Sequence, residues 1–523
     1  MSGVAGIYSF SEAFRKDLVK TLYSGLVSLT DRGEAGTGIT AVNSNGEIKP
    51  YRGLGRVDVA IPWDVIRLFG ASICGIAHTR YAREQYPKIE NTQPIRINTS
   101  DDSKYECYVV ADSTFIPSFL DKSTQKLEER GYKFGSLTGA ERIGATFITE
   151  LEKTNDIDEA CSYTIEELDG GGGYSSILLV KEKNKSLEEI YLVALRDPHG
   201  LKPFHWGEMD ETYYLESETH WLEKEGIEKI EEVPRGGGLI VSKNGARTFQ
   251  VKEKEPKLCN FDPIYFGSPY TRILFKLGPK FYELFKVAVK KLDVDPKFEN
   301  QPSYSVIRNC LGLALADYYP EVGERIDLFV AAPTTGIGVT EGLSAGYNKP
   351  FKSNAVRKVS ATGRTFQSSD PEWRSVEVDL KFEVNRELLE NKRVGVGEDS
   401  IVRGGVTGHK SKKGGLIGQL KNVGRVKEIH MFTSDAPYIF NCFRYWGVEE
   451  SLVAEGLYGR TLEEINKIVG EKLGVNVYYQ PLQNICEIFG PNFCRGCKDG
   501  RYPIDYKFIP DKTKRYLEKA GVL

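Results

Sequence analysis

In the stretch "VGVGEDSIVRGGVTG", residues 394–408, Val and Gly alternate up to two carboxylates, Glu398 and Asp399, before a turn rich in Ser, Thr and Gly. Such alternation predicts a short buried strand. Beyond it, Ser400, Ile401, Val402, Arg403, Gly404 and Gly405 predict a loop that can turn backbone N–H groups and a hydroxyl toward an anion. Acids and a glycine-rich loop at the end of a strand match the ligand sites of open parallel sheets. The stretch reads as a phosphate grip, with the acids left for sugar hydroxyls or a Mg²⁺-bound diphosphate. Taken alone, the same residues also fit a solvated loop.

The surrounding half of the chain supports the sheet. Helical and strand patterns alternate: "YSVIRNCLGLALADYY", "RIDLFVAAP", "GVTEGLSAGY", "RVGVG", "GGLIGQLKNVG" and "EIHMFTS". That order predicts parallel strands joined by crossover helices. "APTTG", with Thr334, Thr335 and Gly336, then falls at a second strand end, where such sheets bind ligands. The first half differs. It is dense in short β-like runs ("VAGIYSF", "GTGITAV", "ICGIAHTRY", "YECYVVA", "YSSILLV"), with helical patterns at "DLVKTLYSGLVSL" and "AERIGATFITELEK". A layered sheet-and-helix domain is expected over 1–250 and a parallel-sheet domain over 251–523, joined near the charged "FQVKEKEPKL".

The 523 residues carry a formal net charge of −3, with 40% hydrophobic residues, as in an ordinary globular protein. No basic excess points to nucleic acid, and no apolar run reaches the ~18 residues of a membrane helix. The start, "MSGVAGIYSFSEAFRKD", lacks signal-peptide character, and the expected location is cytoplasmic. Nine cysteines argue against a disulfide framework. Cys494 and Cys497 form a Cys-x-x-Cys pair, open to reading as a redox pair, a zinc knuckle or chance.

Together these pieces resemble the amidophosphoribosyltransferases, glutamine-dependent enzymes that open purine biosynthesis. "SGVAGIY", "DRGEAGTGI", "AHTRYA", "NTQPI", "LRDPHGLKP" and "YLESE" follow the order of that family's glutaminase domain. "CNFDPIYFGSP", "APTTGIGV", "GRTF", "EDSIVRGG" and "CRGCKDGRYP" follow its transferase domain. The resemblance implies an α/β chain: an N-terminal αββα sandwich of the N-terminal-nucleophile type, then a type I phosphoribosyltransferase domain. It implies phosphoribosyl pyrophosphate (PRPP) bound with Mg²⁺, its ribose hydroxyls on Glu398 and Asp399 and its 5′-phosphate on Ser400 to Gly405. The diphosphate would meet Thr334, Thr335 and Gly336, and a closing loop would bring Lys358 and Arg364. Ammonia would attack C1 as diphosphate leaves. The resemblance also places Cys259, Cys442, Cys494 and Cys497 where one branch of the family holds a 4Fe–4S cluster. Four thiolates suit zinc as well.

The sequence departs from the pattern at the glutaminase site. Ser2 stands where the family has its cysteine nucleophile, and a hydroxyl is harder to ionise than a thiol with pKa ~8.5. Ser113 and Thr114 replace the Asn-Gly of the oxyanion hole, and Gly139 replaces the Asp that binds glutamine's amino group. Arg80, implied for glutamine's carboxylate, is kept. In the closing loop Ser360 and Ala361 replace Arg and Tyr, and Thr334 replaces an Asp. The expectation is a transferase using free ammonia or ammonia from a partner, with glutaminase activity lost. The alternative is a non-catalytic paralogue that binds PRPP or a nucleotide. A homo-oligomer, or an assembly with an active homologue, is implied as well.

Overall fold

The strand predicted at 394 forms as Arg393–Glu398 and lies inside a four-stranded sheet. In this computed structural model the described residues are 1–523 apart from 82–86, 99–102, 184–188, 360–379, 405–406, 409–413 and 443–451. The chain divides into two units, the first mainly Met1–Cys259 and the second mainly Asn260–Cys442 with later segments.

In the second unit the strands run Leu328–Ala331, Arg393–Glu398, Glu428–Thr433 and Asn476–Tyr479, in that order across the sheet, and every pairing is parallel. The Val–Gly alternation explains how the two faces are covered. Val394 and Val396 face a cluster with Ile429, Met431, Leu416, Leu420 and Val469, all almost fully buried. Burying an aliphatic side chain of this kind contributes about 1.5–3 kcal/mol. The intervening glycines face the helix Gly336–Tyr347 and Phe329. A Cβ on Gly397 would lie 2.1 Å from Thr340 Oγ1, so the bare backbone lets that helix settle on the sheet. Helix Tyr304–Tyr318 starts at Ser303, whose hydroxyl accepts the Val306 N–H.

The first unit holds two antiparallel sheets. Its strands are β1 (Gly3–Ser9), β2 (Gly36–Asn43), β3 (Ile48–Leu54), β4 (Ser72–Arg80), β5 (Ile95–Arg96), β6 (Tyr105–Phe115), β7 (Gly172–Glu182), β8 (Ile190–Arg196), β9 (His205–Met209), β10 (Thr212–Glu216), β11 (Ile230–Glu232), β12 (Gly237–Ser242) and β13 (Gly245–Gln250). One sheet is ordered β11-β9-β10-β1-β4-β2-β3 and the other β13-β12-β8-β7-β6-β5. Val4, Ile76, Val110, Ile177, Leu192 and Leu239 interleave between them. Helix Leu18–Ser28 covers the outer face of the first sheet with Leu18, Leu22 and Leu26. Helix Gly139–Thr154 covers the second against β6, with Ile157–Leu168 beside it. Thr138 and Asp156 cap the starts of these two helices by accepting backbone N–H groups.

The layers are therefore helix, sheet, sheet, helix, followed by a parallel sheet, which is the fold class the sequence predicts. Among the described residues no helix is long and apolar enough to cross a membrane.

Candidate functional site

Glu398 ends the second strand of the parallel sheet, in register with Thr433 on the next strand. Past this point the chains clamp one another. Ser434 N–H donates to Glu398 O (3.0 Å), Asp435 N–H to Asp399 O (3.1 Å), and the Ser434 hydroxyl to Asp399 O (3.1 Å). The clamp fixes the main chain of both acids while their carboxylates face other groups. Asp399 Oδ1 accepts the Ser400 hydroxyl at 2.6 Å, and Oδ2 accepts the Thr335 hydroxyl. The Asp399 carboxylate thus joins the "APTTG" loop to the glycine-rich loop. Its neighbour Glu398 is 2% exposed and takes the Asp399 N–H on Oε1 at 3.0 Å. Glu398 Oε2 accepts no hydrogen bond among the described residues. Burial, then the Asp399 charge, push the Glu398 carboxyl well above the usual range.

Around this pair the Pro333–Thr334 peptide is cis and Thr334 is exposed. Gly336 opens its helix against the strand end; a Cβ there would lie 2.4 Å from Gly397 O. Ile401 is buried in the core, while Val402 O accepts the Val453 N–H. Gly404 has positive φ (71°), and its carbonyl accepts the Thr407 hydroxyl. Arg403 is half-buried. Lys358 ends the short strand Val356–Lys358, paired with Phe382–Val384. Arg364, Ser360, Ala361 and Gly405 lie outside the described residues. The structure brings together Thr335, Gly336, Glu398, Asp399 and Ser400 from the sequence-derived set. Sequence reasoning does not single out Ser434, Asp435 or Lys381, whose charge acts on Glu398. "TSDAP" after a strand is the signal that could have found the first two.

The first unit tells a different story around Ser2. The Ser2 N–H donates to Asp112 Oδ1 (3.2 Å), its carbonyl accepts Arg32 Nε (3.0 Å), and its hydroxyl accepts the Tyr81 N–H (3.2 Å). Asp112 also holds Lys202 Nζ at 3.0 Å and Arg32 at 3.3 Å, and Arg32 reaches Glu218 at 2.8 Å. Arg32 and Lys202 are fully buried. Burial alone would raise the Asp112 carboxyl, but Lys202 and Arg32 outweigh it and hold it below the usual range. Ser113 and Thr114 do not form a turn; they pair with Tyr174 and Gly173 within the β6–β7 ladder. Gly139 has no room for a side chain, since a Cβ would meet Ser113 Oγ at 2.5 Å and Phe115 Cδ2 at 2.9 Å. Arg80 is 6% exposed at the end of β4. His78 beside it is held down to about 3 by burial and then by Arg80.

Cys259, Cys442, Cys494 and Cys497 are all buried. Ile439 and Phe440 donate their N–H groups to Cys497 O, and Asn260 donates to Cys494 O. Among the described residues no three His, Cys, Asp or Glu side chains form a group that could hold a metal ion. The metal expectation gains no support from this geometry.

No family model matches the chain. Curated relatives match it almost end to end. An amidophosphoribosyltransferase of Methanocaldococcus jannaschii is 27% identical over 97% of this chain and 98% of its own length. That of Methanothermobacter thermautotrophicus is 28% identical over 98% and 96%, and the chloroplastic enzyme of Vigna aconitifolia 29% over 96% and 91%. Among solved structures, glutamine PRPP amidotransferase from B. subtilis, complexed with ADP and GMP, is similar in fold, with TM-score 0.74, 22% identity and coverage of 96% and 97%. Along its whole length, and in two units of the same fold, the chain is similar to amidophosphoribosyltransferases.

Proposed function

We propose that the chain binds PRPP at the Glu398–Asp399 strand end and transfers its phosphoribosyl group to ammonia, as an amidophosphoribosyltransferase of purine biosynthesis without its own glutaminase. The observation that carries this reading is the Asp399 carboxylate, shared between Thr335 and Ser400 at the end of a buried strand. The second is Glu398 Oε2, a buried carboxyl oxygen without a hydrogen-bond partner among the described residues, which a ribose hydroxyl would meet. In the reaction the nitrogen lone pair of ammonia forms the bond to C1. The C1–O bond breaks with its electrons leaving on diphosphate, and the new ammonium loses a proton. Glu398 and Asp399 orient the ribose; the backbone from Ser400 to Gly404 and the loop at Thr334–Gly336 receive the two phosphate ends. Mg²⁺ bound with PRPP would supply charge neutralisation on the diphosphate.

Loss of glutaminase is supported by the first unit. Its Ser2 is engaged by Asp112, Arg32 and Tyr81, and Gly139 leaves no space for an anchoring carboxylate. A 4Fe–4S cluster on Cys259, Cys442, Cys494 and Cys497, with zinc as the alternative, rests on the family resemblance alone, since the described residues gather no metal-holding group. No step of the reaction runs through them. Metal and acid-labile sulfide analysis of the purified protein tests that proposal, and absence of iron and zinc refutes it.

The function is tested by following diphosphate release from PRPP with ammonium or with glutamine. Release with ammonium alone is expected. Glutamate formation abolished by Ser2→Ala would overturn the loss of glutaminase. PRPP binding without release at any ammonium concentration would replace the enzyme with a non-catalytic binder. No binding in calorimetry would remove the PRPP site altogether.

A further inference from the structure

Lys498 lies in the Cys-x-x-Cys segment, which the proposed reaction does not use, yet it is among the most buried charges of the second unit, 2% exposed. Its ammonium sits 2.9 Å from Asp435 Oδ2 and 3.2 Å from Asn260 Oδ1, over the Tyr438 ring at 4.4 Å and 3.6 Å from Cys497 Sγ. Asp435, Asn260 and Tyr438 are completely buried. A buried ion pair contributes little net stability, because desolvation offsets its attraction; it holds a specific geometry instead. Here that geometry is the turn after strand Glu428–Thr433. The Asp435 carboxylate also takes the Ala436 N–H (2.9 Å) and the Tyr438 hydroxyl, and the Asp435 carbonyl takes the Thr433 hydroxyl (2.8 Å). The same residue's N–H is one of the donors that clamp Asp399. One residue therefore joins a fully buried salt bridge to the main chain of the acid pair.

We infer that Lys498 and Asp435 are positioning residues for the PRPP site: their buried ion pair sets the 433–436 turn, whose N–H groups hold Glu398 and Asp399 in register with the Thr335 loop. The inference rests on the PRPP reading above. Neither side chain touches substrate in this arrangement. Each acts through the Ser434 and Asp435 amides. Without Lys498, a buried carboxylate is left without its cation, and the turn relaxes to reach other donors or water.

The test uses the full-length protein with Lys498→Met, the isosteric Asp435→Asn, and Val469→Ala as a control. Val469 is buried on the helix Leu462–Leu473, beside the edge strand Asn476–Tyr479, and belongs neither to the turn nor to the hydrogen bonds of the acids' clamp. Thermal unfolding and PRPP calorimetry are run on all four proteins well below their melting temperatures. Asp435→Asn keeps the shape of the turn and remains informative should Lys498→Met fail to fold. It also alters no residue next to a cysteine. We expect a tenfold or greater loss of PRPP affinity in Asp435→Asn and Lys498→Met, with KM for PRPP rising and KM for ammonia unchanged. Val469→Ala should lose melting temperature with affinity within twofold of wild type. Wild-type affinity in Asp435→Asn, or an equal affinity loss in Val469→Ala, overturns the inference. A wild-type protein that binds no PRPP overturns the underlying reading, and the inference with it.

Discussion

Replacing Gly336 by Ala isolates what the strand end contributes to the proposed PRPP site. The new Cβ would lie 2.4 Å from Gly397 O and 3.4 Å from the Glu398 Cα. Carbon and carbonyl oxygen normally approach no closer than about 3.3 Å, so the first turn of Gly336–Tyr347 must retreat by about 1 Å. Main chain stands on the other side, and no side-chain rotation relieves the contact. Retreat stretches the Ala332 N–H bond to Gly397 O, now 2.9 Å, and pulls Thr335 from Asp399. Overpacking of this kind costs about 1–3 kcal/mol, offset in part by the better helix propensity of Ala. The catalytic loss is larger, because a displacement of about 1 Å in a positioning group costs on the order of 10²-fold in rate. Urea unfolding of the second unit and PRPP turnover with ammonium measure the two effects. Turnover should fall on the order of 10²-fold, while the unfolding midpoint shifts modestly. A variant with wild-type turnover would show that the Thr335–Asp399 junction is not the diphosphate end of the site.

Burial and the Asp399 charge hold Glu398 protonated above the ordinary carboxylate range, so the second unit is most stable below that range and loses stability as pH rises; Glu398→Gln should flatten this slope in urea titrations between pH 5 and 8, and an unchanged slope would refute the assignment. In the first unit, burial holds His78 at about 3 and His205 at about 4, so the unfolded chain takes up protons that the fold refuses. Stability there is intact above about pH 6.5 and falls as pH drops toward 4, by about 2–3 kcal/mol per histidine at pH 4.5, and His78→Gln should remove its share of that loss in acid unfolding. Ser2→Cys alone should not produce glutaminase, because Asp112 and Gly139 remain; glutamate release by that variant would contradict the reading of the first unit.

The acid pair and the parallel sheet were legible because alternation and strand-end chemistry are local. Val394 and Val396 face one core, the glycines admit a helix on the other side, and Glu398 and Asp399 emerge where a parallel sheet exposes its ends. Loss of the glutaminase residues was legible too, since Ser2 and Gly139 stand at positions the family resemblance fixes. The charge network around them was not. Arg32, Asp112, Lys202 and Glu218 come from four distant stretches, and nothing in any one of them predicts a fully buried charge. Lys498 escaped for the same reason, since a lysine beside Cys497 reads as a solvated side chain until the fold closes over it.

The network around Ser2 ties the layers of the first unit together from inside. Arg32 and Lys202 face Asp112 and Glu218, so the interior is balanced in charge, and every member bridges different layers. Arg32 follows the first helix, Asp112 lies on β6, Lys202 follows β8, and Glu218 follows β10. Removing one member would leave its partner buried and unpaired at a cost of about 3–5 kcal/mol, more than a surface substitution carries. Charges that fix the packing of both sheets cannot be removed singly without leaving a buried partner unpaired. Buried charges thus fix the interior around Ser2, whereas the acids of the second unit sit at a strand end rather than inside the layers.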